Sequence, residues 1–130
     1  MQPSTLLVWL STALSTSAVA IPALEERQSA CSTYTIINTR GTGEPQGESS
    51  GFRTMNANIR AAISGGTTYN TVYAAGADQN SAAGTTDIIN HINTVLAHRP
   101  NECFILEGYS QGAEATVNAM SRITGNAFTA

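Results

Sequence analysis

Three short β-rich runs alternate with three stretches of helical periodicity along the chain. The runs are rich in β-branched and aromatic residues and lie at residues 34–39, 69–74 and 103–109. In residues 50–64, 85–99 and 113–123 the apolar positions recur at the three- and four-residue spacing of an amphipathic helix. A strand–helix order repeated three times predicts a parallel sheet with right-handed crossovers, which is a three-layer α/β sandwich.

The apolar positions of each predicted helix are expected to pack against the sheet. In the first helix these positions are Phe52, Met55, Ile59, Ala62 and Ile63. In the second they are Ile88, Ile89, Ile92, Val95 and Leu96, and in the third they are Ala113, Val117 and Met120. No repeat or interdomain linker is visible, so the 130 residues predict one domain.

The first 27 residues have the pattern of targeting and processing segments. Residues 6–20 are small or apolar, and Ala18-Val19-Ala20 matches the cleavage site of a secretory signal peptide, residues 1–20. The run is too short to span a bilayer, and the alternative is an anchor at the membrane interface. Residues 21–27, which end at Arg27, are predicted to be a pro-segment, so that residues 28–130 form a secreted, extracellular chain.

The composition excludes several classes of function. Only 12% of the residues are charged, none is lysine and the formal net charge is −3, so no basic surface for nucleic acid is predicted. An apolar content of 42% is too high for a disordered chain. The two histidines, His91 and His98, have no acids clustered around them, so no metal site is predicted, and no phosphate-binding motif is present.

The chain has two cysteines, Cys31 and Cys103. In an oxidising compartment an isolated pair usually forms a disulfide. Cys31 precedes the first predicted strand and Cys103 begins the third, so the two lie side by side if those strands are parallel neighbours. A disulfide is therefore predicted, and a pair of buried free thiols is the alternative.

The segment Gly108-Tyr109-Ser110-Gln111-Gly112 lies between the third predicted strand and the third predicted helix. A G-x-S-x-G sequence in this position forms the sharp turn that exposes a serine nucleophile. The serine takes a strained backbone conformation, and side chains at the two glycine positions would collide with the crossing chain. Ser110 is therefore the candidate nucleophile.

Two backbone donors for an oxyanion hole are expected near Ser110. The N–H of Gln111 follows the nucleophile at the start of a helix. The Gly-rich residues 40–47 follow the first strand, and the carboxyl ends of parallel strands meet at one edge of the sheet. Thr42, with its N–H and its hydroxyl, is therefore the second candidate donor.

The sequence offers Ser110 no base. A serine hydroxyl needs a histidine within hydrogen-bond reach and a carboxylate that orients this histidine. His91 and His98 lie on the second predicted helix. His98, near its end, is expected at the opposite edge of the sheet, about 20 Å away at the rise of a strand, and His91, in the middle of the helix, is expected to be partly packed. Glu114 is the one acid after Ser110 and is expected to be a solvated helix residue.

Taken together, these motifs resemble the fungal cutinase family, and within it the cutinase-like enzymes that degrade aliphatic polyesters. The residues that carry the resemblance are 37–47 (INTRGTGEPQG), 80–84 (NSAAG) and 108–113 (GYSQGA). The resemblance implies a secreted serine carboxylic-ester hydrolase with a small, lidless α/β-hydrolase fold. In it, Ser110 is the nucleophile, Thr42 and Gln111 bind the oxyanion, and no cofactor takes part. The implied substrates are cutin, other polyesters and short- to medium-chain esters.

Members of this family continue well beyond the nucleophile helix, and that later part carries the triad Asp and His. Residues 28–130 are therefore interpreted as the N-terminal portion of such a domain, truncated after the nucleophile helix and inactive alone. Two other functions remain open: a non-catalytic secreted protein that binds lipid or polyester surfaces, and an acetylxylan-type esterase. The chain is expected to be a monomer whose partner is an ester or polyester substrate. No nucleic acid partner and no integral membrane association are expected.

Overall fold

The computed structural model describes residues 31–123. The chain divides into two compact units, Met1–Cys31 and Ser32–Ala130, and the elements described below belong to the second unit. The expected signal peptide and pro-segment, residues 1–27, lie outside the described residues, as do residues 124–130.

Strands and helices alternate along the chain as the sequence predicts. The elements are strand β1 (Tyr34–Thr39), helix α1 (Arg53–Ala62), strand β2 (Gly66–Asn70), helix α2 (Ala82–His98), strand β3 (Cys103–Gly108) and helix α3 (Gln111–Arg122). The first strand has the predicted bounds, and the third ends one residue earlier than predicted.

The three strands form one parallel sheet in the order β2-β1-β3. Every residue of the central strand β1 is buried. Ile37 aligns with Tyr69 and Leu106, whereas its neighbour Asn38 aligns with the next residue of each flanking strand. Because side chains alternate along a strand, these two rows lie on opposite faces of the sheet. The parallel sheet confirms the predicted α/β class.

Helices on both faces complete the three layers. Helices α2 and α3 pack together on the face that carries Ile37, where the buried core consists of Ile37, Ile88, Ile92, Ala115 and Ala119. Helix α1 lies on the other face, where the Tyr34 hydroxyl donates a hydrogen bond to the Ile63 carbonyl just after this helix. The carboxyl ends of the parallel strands therefore share one edge, where the functional site is expected.

Strand β2 lies earlier in the chain than the predicted residues 69–74. It pairs with β1 from Gly66 onward, and Gly66 and the two threonines after it give little hydrophobic signal. The Tyr34 ring covers Gly66, because a Cβ there would lie 2.3 Å from Tyr34 Cζ. After Asn70 the backbone leaves the sheet, and the carbonyls of Tyr73 and Ala74 bind the Arg40 side chain instead.

The inward face predicted for α3 is wrong. Val117 and Met120 are 64% and 42% exposed, while Ala115 and Ala119 are buried. The buried alanines recur at the same helical spacing, and their small size lets α3 approach α2. A Cβ on Gly84 of α2 would lie 3.2 Å from the Cβ of Ala115. Residue size, rather than hydrophobicity, decides which stripe of α3 faces inward.

The face predicted for α1 is also largely exposed. Met55 and Ile63 are 43% and 56% exposed, and the buried residue of the helix is Asn56, which donates a hydrogen bond to Glu48. Of the predicted face, Phe52 and Ile59 are half-buried beside this amide, whereas Met55, Ala62 and Ile63 are exposed. The face predicted for α2 is confirmed, since Ile88, Ile92 and Val95 are buried and Ile89 and Leu96 are half-buried against the core.

Both cysteines are disulfide-bonded, and because the chain has only two, Cys31 is joined to Cys103. The predicted disulfide is confirmed, and the free-thiol alternative is wrong.

The helices within residues 31–123 include none with the length and apolar character that a membrane span requires.

Candidate active site

Ser110 occupies the turn between β3 and α3. Its backbone has φ 53° and ψ −117°, a conformation that residues with a side chain rarely adopt. Strand β3 ends at Gly108 and α3 begins at Gln111, so the turn has two residues and leaves Ser110 exposed. The strained turn that the G-x-S-x-G sequence predicts is therefore present.

The two glycines that flank this turn have no room for a side chain. A Cβ on Gly108 would lie 2.4 Å from the Gly112 carbonyl oxygen. A Cβ on Gly112 would lie 2.1 Å from the Thr39 carbonyl oxygen and 2.5 Å from that of Arg40. The predicted steric reason for both glycines is confirmed, and α3 begins in direct contact with the end of β1.

The loop after β1 lies against the turn that carries Ser110. The Tyr109 N–H donates a hydrogen bond to the Thr39 carbonyl at 3.1 Å. A Cβ on Gly41 would lie 2.6 Å from Cδ1 of the Tyr109 ring. The structure therefore brings residues 40–47, here called the first loop, next to Ser110 at the carboxyl edge of the sheet.

Thr42 and Gln111, the two candidate oxyanion donors, are both at this edge. Gln111 is the first residue of α3 and is buried. Within residues 31–123, the backbone hydrogen bonds found in the first loop and at the turn use other N–H groups, such as those of Gly43 and Gly112, and not those of Thr42 and Gln111. Both N–H groups are thus available to bind a negatively charged oxygen.

Residues 71–80, here called the second loop, contact both candidate donors. The Thr42 hydroxyl and the Gln79 side-chain amide are hydrogen-bonded to each other, at 2.9 Å for the amide nitrogen. The Gln111 side-chain amide donates to the Gly76 carbonyl at 3.1 Å. Ala75 and Gln79 have positive φ values of 48° and 60°, so this loop is held in a strained form.

The carboxylate of Glu44 fixes the first loop internally. It accepts hydrogen bonds from the Gly41 N–H at 2.8 Å, from the Ser49 hydroxyl at 2.9 Å and from the Ser50 N–H at 3.0 Å. Burial raises the pKa of Glu44, but the hydrogen bonds to its charged form outweigh this effect and the pKa is lowered. An ionised carboxylate therefore holds the backbone next to Thr42.

A buried guanidinium lies between the two loops. Arg40 is only 5% exposed, and it donates hydrogen bonds to the Glu44 carbonyl, the Gln46 side chain and the carbonyls of Tyr73 and Ala74. Sequence reasoning did not identify this role. One feature of the sequence could have indicated it: Arg40 is a charged residue directly after a strand of the predicted sheet. A side chain at such a position has to extend into the protein or across the neighbouring loops.

Asn38 of β1 and Glu107 of β3 form a buried polar pair near the turn. The Asn38 side chain donates to Glu107 Oε2 at 3.0 Å and accepts a hydrogen bond from the Ser49 N–H at 2.9 Å. This pair joins β1, β3 and the segment that follows the first loop, on the face that α1 covers. Glu107 directly follows the apolar run at residues 103–106, and nothing in the sequence indicates its partner.

The two histidines have partners away from Ser110, one on another element and one within the same helix. The His91 ring stacks on Tyr69 with the ring centroids 3.5 Å apart. Burial lowers the pKa of His91, with a smaller opposing effect from Asp87. His98 ends α2, and its Nδ1 lies 2.9 Å from the Thr94 carbonyl oxygen. Helix α2 leads to the amino ends of the strands, which is the edge opposite Ser110.

Glu114, the acid that follows Ser110 in the sequence, is exposed in the first turn of α3. Residues 31–123 contain no group of three or more His, Cys, Asp or Glu side chains that could hold a metal ion. The site therefore combines a strained serine, a helix N-terminus and two apposed loops with free N–H groups, and a histidine is not among the groups brought together.

Comparisons with known proteins agree on one family. The Cutinase family model matches residues 30–129. A cutinase from Monilinia fructicola is 32% identical in an alignment of length 114 that covers 82% of this chain and 56% of that protein.

Two solved structures are similar as well. A cutinase-like protein from Cryptococcus sp. is 68% identical with a TM-score of 0.70, over 72% of this chain and 46% of that one. The catalytic core domain of an acetyl xylan esterase from Trichoderma reesei is 29% identical with a TM-score of 0.61, over 68% of this chain and 48% of that one. The chain thus spans about half the length of these relatives.

Proposed function

Because the chain belongs to the cutinase family, we propose that residues 31–123 carry the nucleophile and the oxyanion-binding part of a secreted serine esterase. The proposed substrates are uncharged carboxylic esters: cutin, aliphatic polyesters and short- to medium-chain esters. The observation that carries the proposal is the Ser110 backbone, which is held at φ 53° directly before α3. Secretion is supported by the disulfide between Cys31 and Cys103.

The proposed reaction is acyl transfer through Ser110. Its Oγ adds to the ester carbonyl carbon while its proton passes to a base, and the carbonyl oxygen becomes negatively charged. The N–H groups of Gln111 and Thr42 then bind this oxygen. Collapse of the intermediate breaks the bond to the alcohol, which leaves with the proton, and water hydrolyses the acyl group from Ser110.

The 130-residue chain does not supply the base that this reaction requires. It contains two histidines in all, and both lie on α2, away from the carboxyl edge of the sheet. Removal of the base from a serine hydrolase leaves only the smaller contribution of the oxyanion hole and of substrate binding. The proposal therefore assigns the base and its orienting acid to polypeptide outside these 130 residues, and assigns no triad catalysis to this chain alone.

A chimera tests whether these residues work as the nucleophile half of an esterase. Residues 31–123 would replace the segment that they match in the Cryptococcus sp. cutinase-like protein, to which the chain is 68% identical. We expect the chimera to hydrolyse p-nitrophenyl butyrate and the Ser110→Ala variant to lose at least about 10³-fold in kcat.

Ser121→Ala is the matched control for this chimera, because Ser121 is an exposed serine near the end of α3. Its rate should equal that of the unmodified chimera. A folded chimera that hydrolyses the ester equally well with and without Ser110 would contradict the proposed nucleophile.

An acetylxylan-type esterase is the second candidate, which the structural similarity to the Trichoderma reesei acetyl xylan esterase favours. Release of acetate from acetylated xylan, measured beside p-nitrophenyl butyrate hydrolysis on the same chimera, separates the two substrate classes. A non-catalytic surface-binding protein is the third candidate, favoured by the missing base, and it predicts Ser110-independent adsorption to polyester without turnover.

A further inference from the structure

We infer that Arg40 is a positioning residue, whose guanidinium sets the relative placement of the first loop and the second loop and thereby of Thr42 beside Ser110. This inference rests on the oxyanion-binding role proposed for Thr42. It goes beyond that role because Arg40 acts through its hydrogen bonds to the two loops, and not through a contact with Ser110.

The four acceptors of the guanidinium are divided equally between the two loops. In the first loop, Nε donates to the Glu44 carbonyl at 2.8 Å and Nη1 to Gln46 Oε1 at 2.9 Å. In the second loop, Nη2 donates to the carbonyls of Tyr73 at 2.7 Å and Ala74 at 3.3 Å. One planar group therefore fixes the distance between the two loops, and its bond to the Tyr73 carbonyl spans 33 positions of the sequence.

Neighbouring contacts also join the same two loops. The Tyr73 hydroxyl donates to the Arg40 carbonyl, and the Tyr73 ring centroid lies 5.1 Å from the Arg40 Cζ. The Gly43 N–H donates to the Ala75 carbonyl at 2.9 Å. The peptide that carries the Thr42 N–H thus lies between Arg40 and Gly43, both of which are anchored to the second loop.

The second loop needs such an external constraint. Ala75 and Gln79 both have positive φ values, which persist only where surrounding contacts hold them. Ala75 accepts the Gly43 bond and Gln79 is hydrogen-bonded to the Thr42 hydroxyl. Release of the guanidinium would let this loop relax, and Thr42 would lose its partner.

The acceptors explain why this residue is an arginine. All four are neutral oxygens, and the salt bridge found among residues 31–123 joins a different pair, Arg99 and Glu102. Charge pairing is therefore not what holds Arg40. Its fork of donors reaches acceptors on two sides at once, whereas a lysine ammonium is a single point on a flexible stem and cannot.

Backbone amide hydrogen exchange of the 130-residue chain, followed by NMR, tests the inference without any need for turnover. In Arg40→Lys we expect the Gly43 N–H, which bridges the loops, to exchange at least about tenfold faster. The Gln79 side-chain amide resonances should shift at the same time. The N–H groups of Ile37 and Ile92, in the core of the sheet and of α2, should keep their exchange rates.

Arg53→Lys is the matched control, because Arg53 is the exposed first residue of α1, and it should leave all of these signals unchanged. If Arg40→Lys does not fold, Gln46→Ala removes one acceptor and should accelerate Gly43 exchange in the same direction by a smaller factor. Gln46→Glu is its control, because it keeps the acceptor for Arg40 and loses the separate bond that the Gln46 amide donates to the Thr71 carbonyl.

Unchanged Gly43 exchange in a folded variant would overturn the inference. Equal acceleration at Gly43, Ile37 and Ile92 would overturn it too, since Arg40 would then contribute only to global stability. Neither readout depends on ester hydrolysis, so failure of the inference and failure of the proposed function are distinguishable.

Discussion

Gly112 shows how closely single residues are constrained at this site. Two carbonyl oxygens, of Thr39 and Arg40, occupy the space that its Cβ would need. Both belong to backbone at the end of β1, which cannot rotate away as a flexible side chain could. A side chain at this position must therefore push α3 away from the sheet and displace Ser110 with it.

We predict that Gly112→Ala lowers the free energy of unfolding by about 1–3 kcal/mol, because of this overlap. Denaturant unfolding followed by circular dichroism measures the change. Gly51→Ala is the control, since a Cβ at Gly51 has nothing within 4 Å, and its effect should stay within about 0.5 kcal/mol. An equal effect of both substitutions would show that the contact is not as close as described.

Glu102 is a buried carboxylate at the amino edge of the sheet, far from the candidate site. It accepts hydrogen bonds from the hydroxyls of Thr33 and Thr35 and pairs with Arg99 at 3.0 Å. Burial raises the pKa of Glu102, but these partners favour the charged form more strongly and the pKa is lowered from 4.5. Its ionised form therefore stabilises the folded state.

This lowered pKa predicts a pH-dependent stability difference. Because the folded-state value lies below the unfolded one, the contribution is fully present above pH 4.5 and is lost as the pH falls through the lowered value. Glu102→Gln should thus reduce the free energy of unfolding by about 1–3 kcal/mol at pH 7 and by much less at pH 3.

Unfolding in denaturant at both pH values measures this difference, with Glu114→Gln, at an exposed position, as the control. A loss for Glu102→Gln that is as large at pH 3 as at pH 7 would exclude the ionised carboxylate as its cause.

At the scale of elements, α3 is fixed by its small residues. Ala115 and Ala119 are fully buried against Ile37, Ile88 and Ile92, while the larger Met120 is exposed. The close approach of α3 to α2 and to the sheet is what places the helix N-terminus behind Ser110. The interface tolerates little additional volume for the same reason.

We predict that Ala119→Leu lowers the melting temperature and reduces the free energy of unfolding by about 1–3 kcal/mol, because added methyl groups overpack this interface. Met120→Leu, one residue later, should change it by less than about 0.5 kcal/mol. The reverse order of the two effects would mean that Met120, as hydrophobicity alone predicts, faces the core.

The sequence predicts those elements whose hydrophobic signal matches their burial. Strand β1 and the inward face of α2 are such cases, because their apolar residues are buried or half-buried against the core. In strand β3 the apolar residues 103–106 are half-buried, and the buried residue is Glu107. Strand β2 is not such a case, since Gly66 and the two threonines after it join the sheet through backbone pairing with β1. Small residues on α3 and a lone amide on α1 likewise carry no hydrophobic signal, and the predicted faces are wrong there.

The residues of the candidate site also differ in whether the sequence could predict them. Ser110, Gln111 and Thr42 could be located from local motifs, because a turn and the loop after a strand are short-range features. Arg40, Gln79 and the Asn38–Glu107 pair could not. Their partners lie more than 30 residues away, so their contacts exist only once the two loops and the strands are assembled.

At the scale of the whole molecule, the described residues place their chemistry at one edge of the sheet. The strained serine, the N-terminus of α3 and the two loops meet at the carboxyl ends of the strands, while the helix with both histidines leads to the opposite edge. The proposed nucleophile and its proposed oxyanion donors therefore lie at one edge of the sheet, and neither histidine lies there.

The most direct test of this account is the rate of p-nitrophenyl butyrate hydrolysis by residues 28–130, compared with their Ser110→Ala variant. The folded state of both proteins would be verified by their amide NMR spectra. We predict equal rates, because no histidine of this chain reaches Ser110 and the same oxyanion donors are present in both proteins. Hydrolysis that exceeds the rate of the Ser110→Ala variant by tenfold or more would contradict the account, since a base for Ser110 would then lie within these residues.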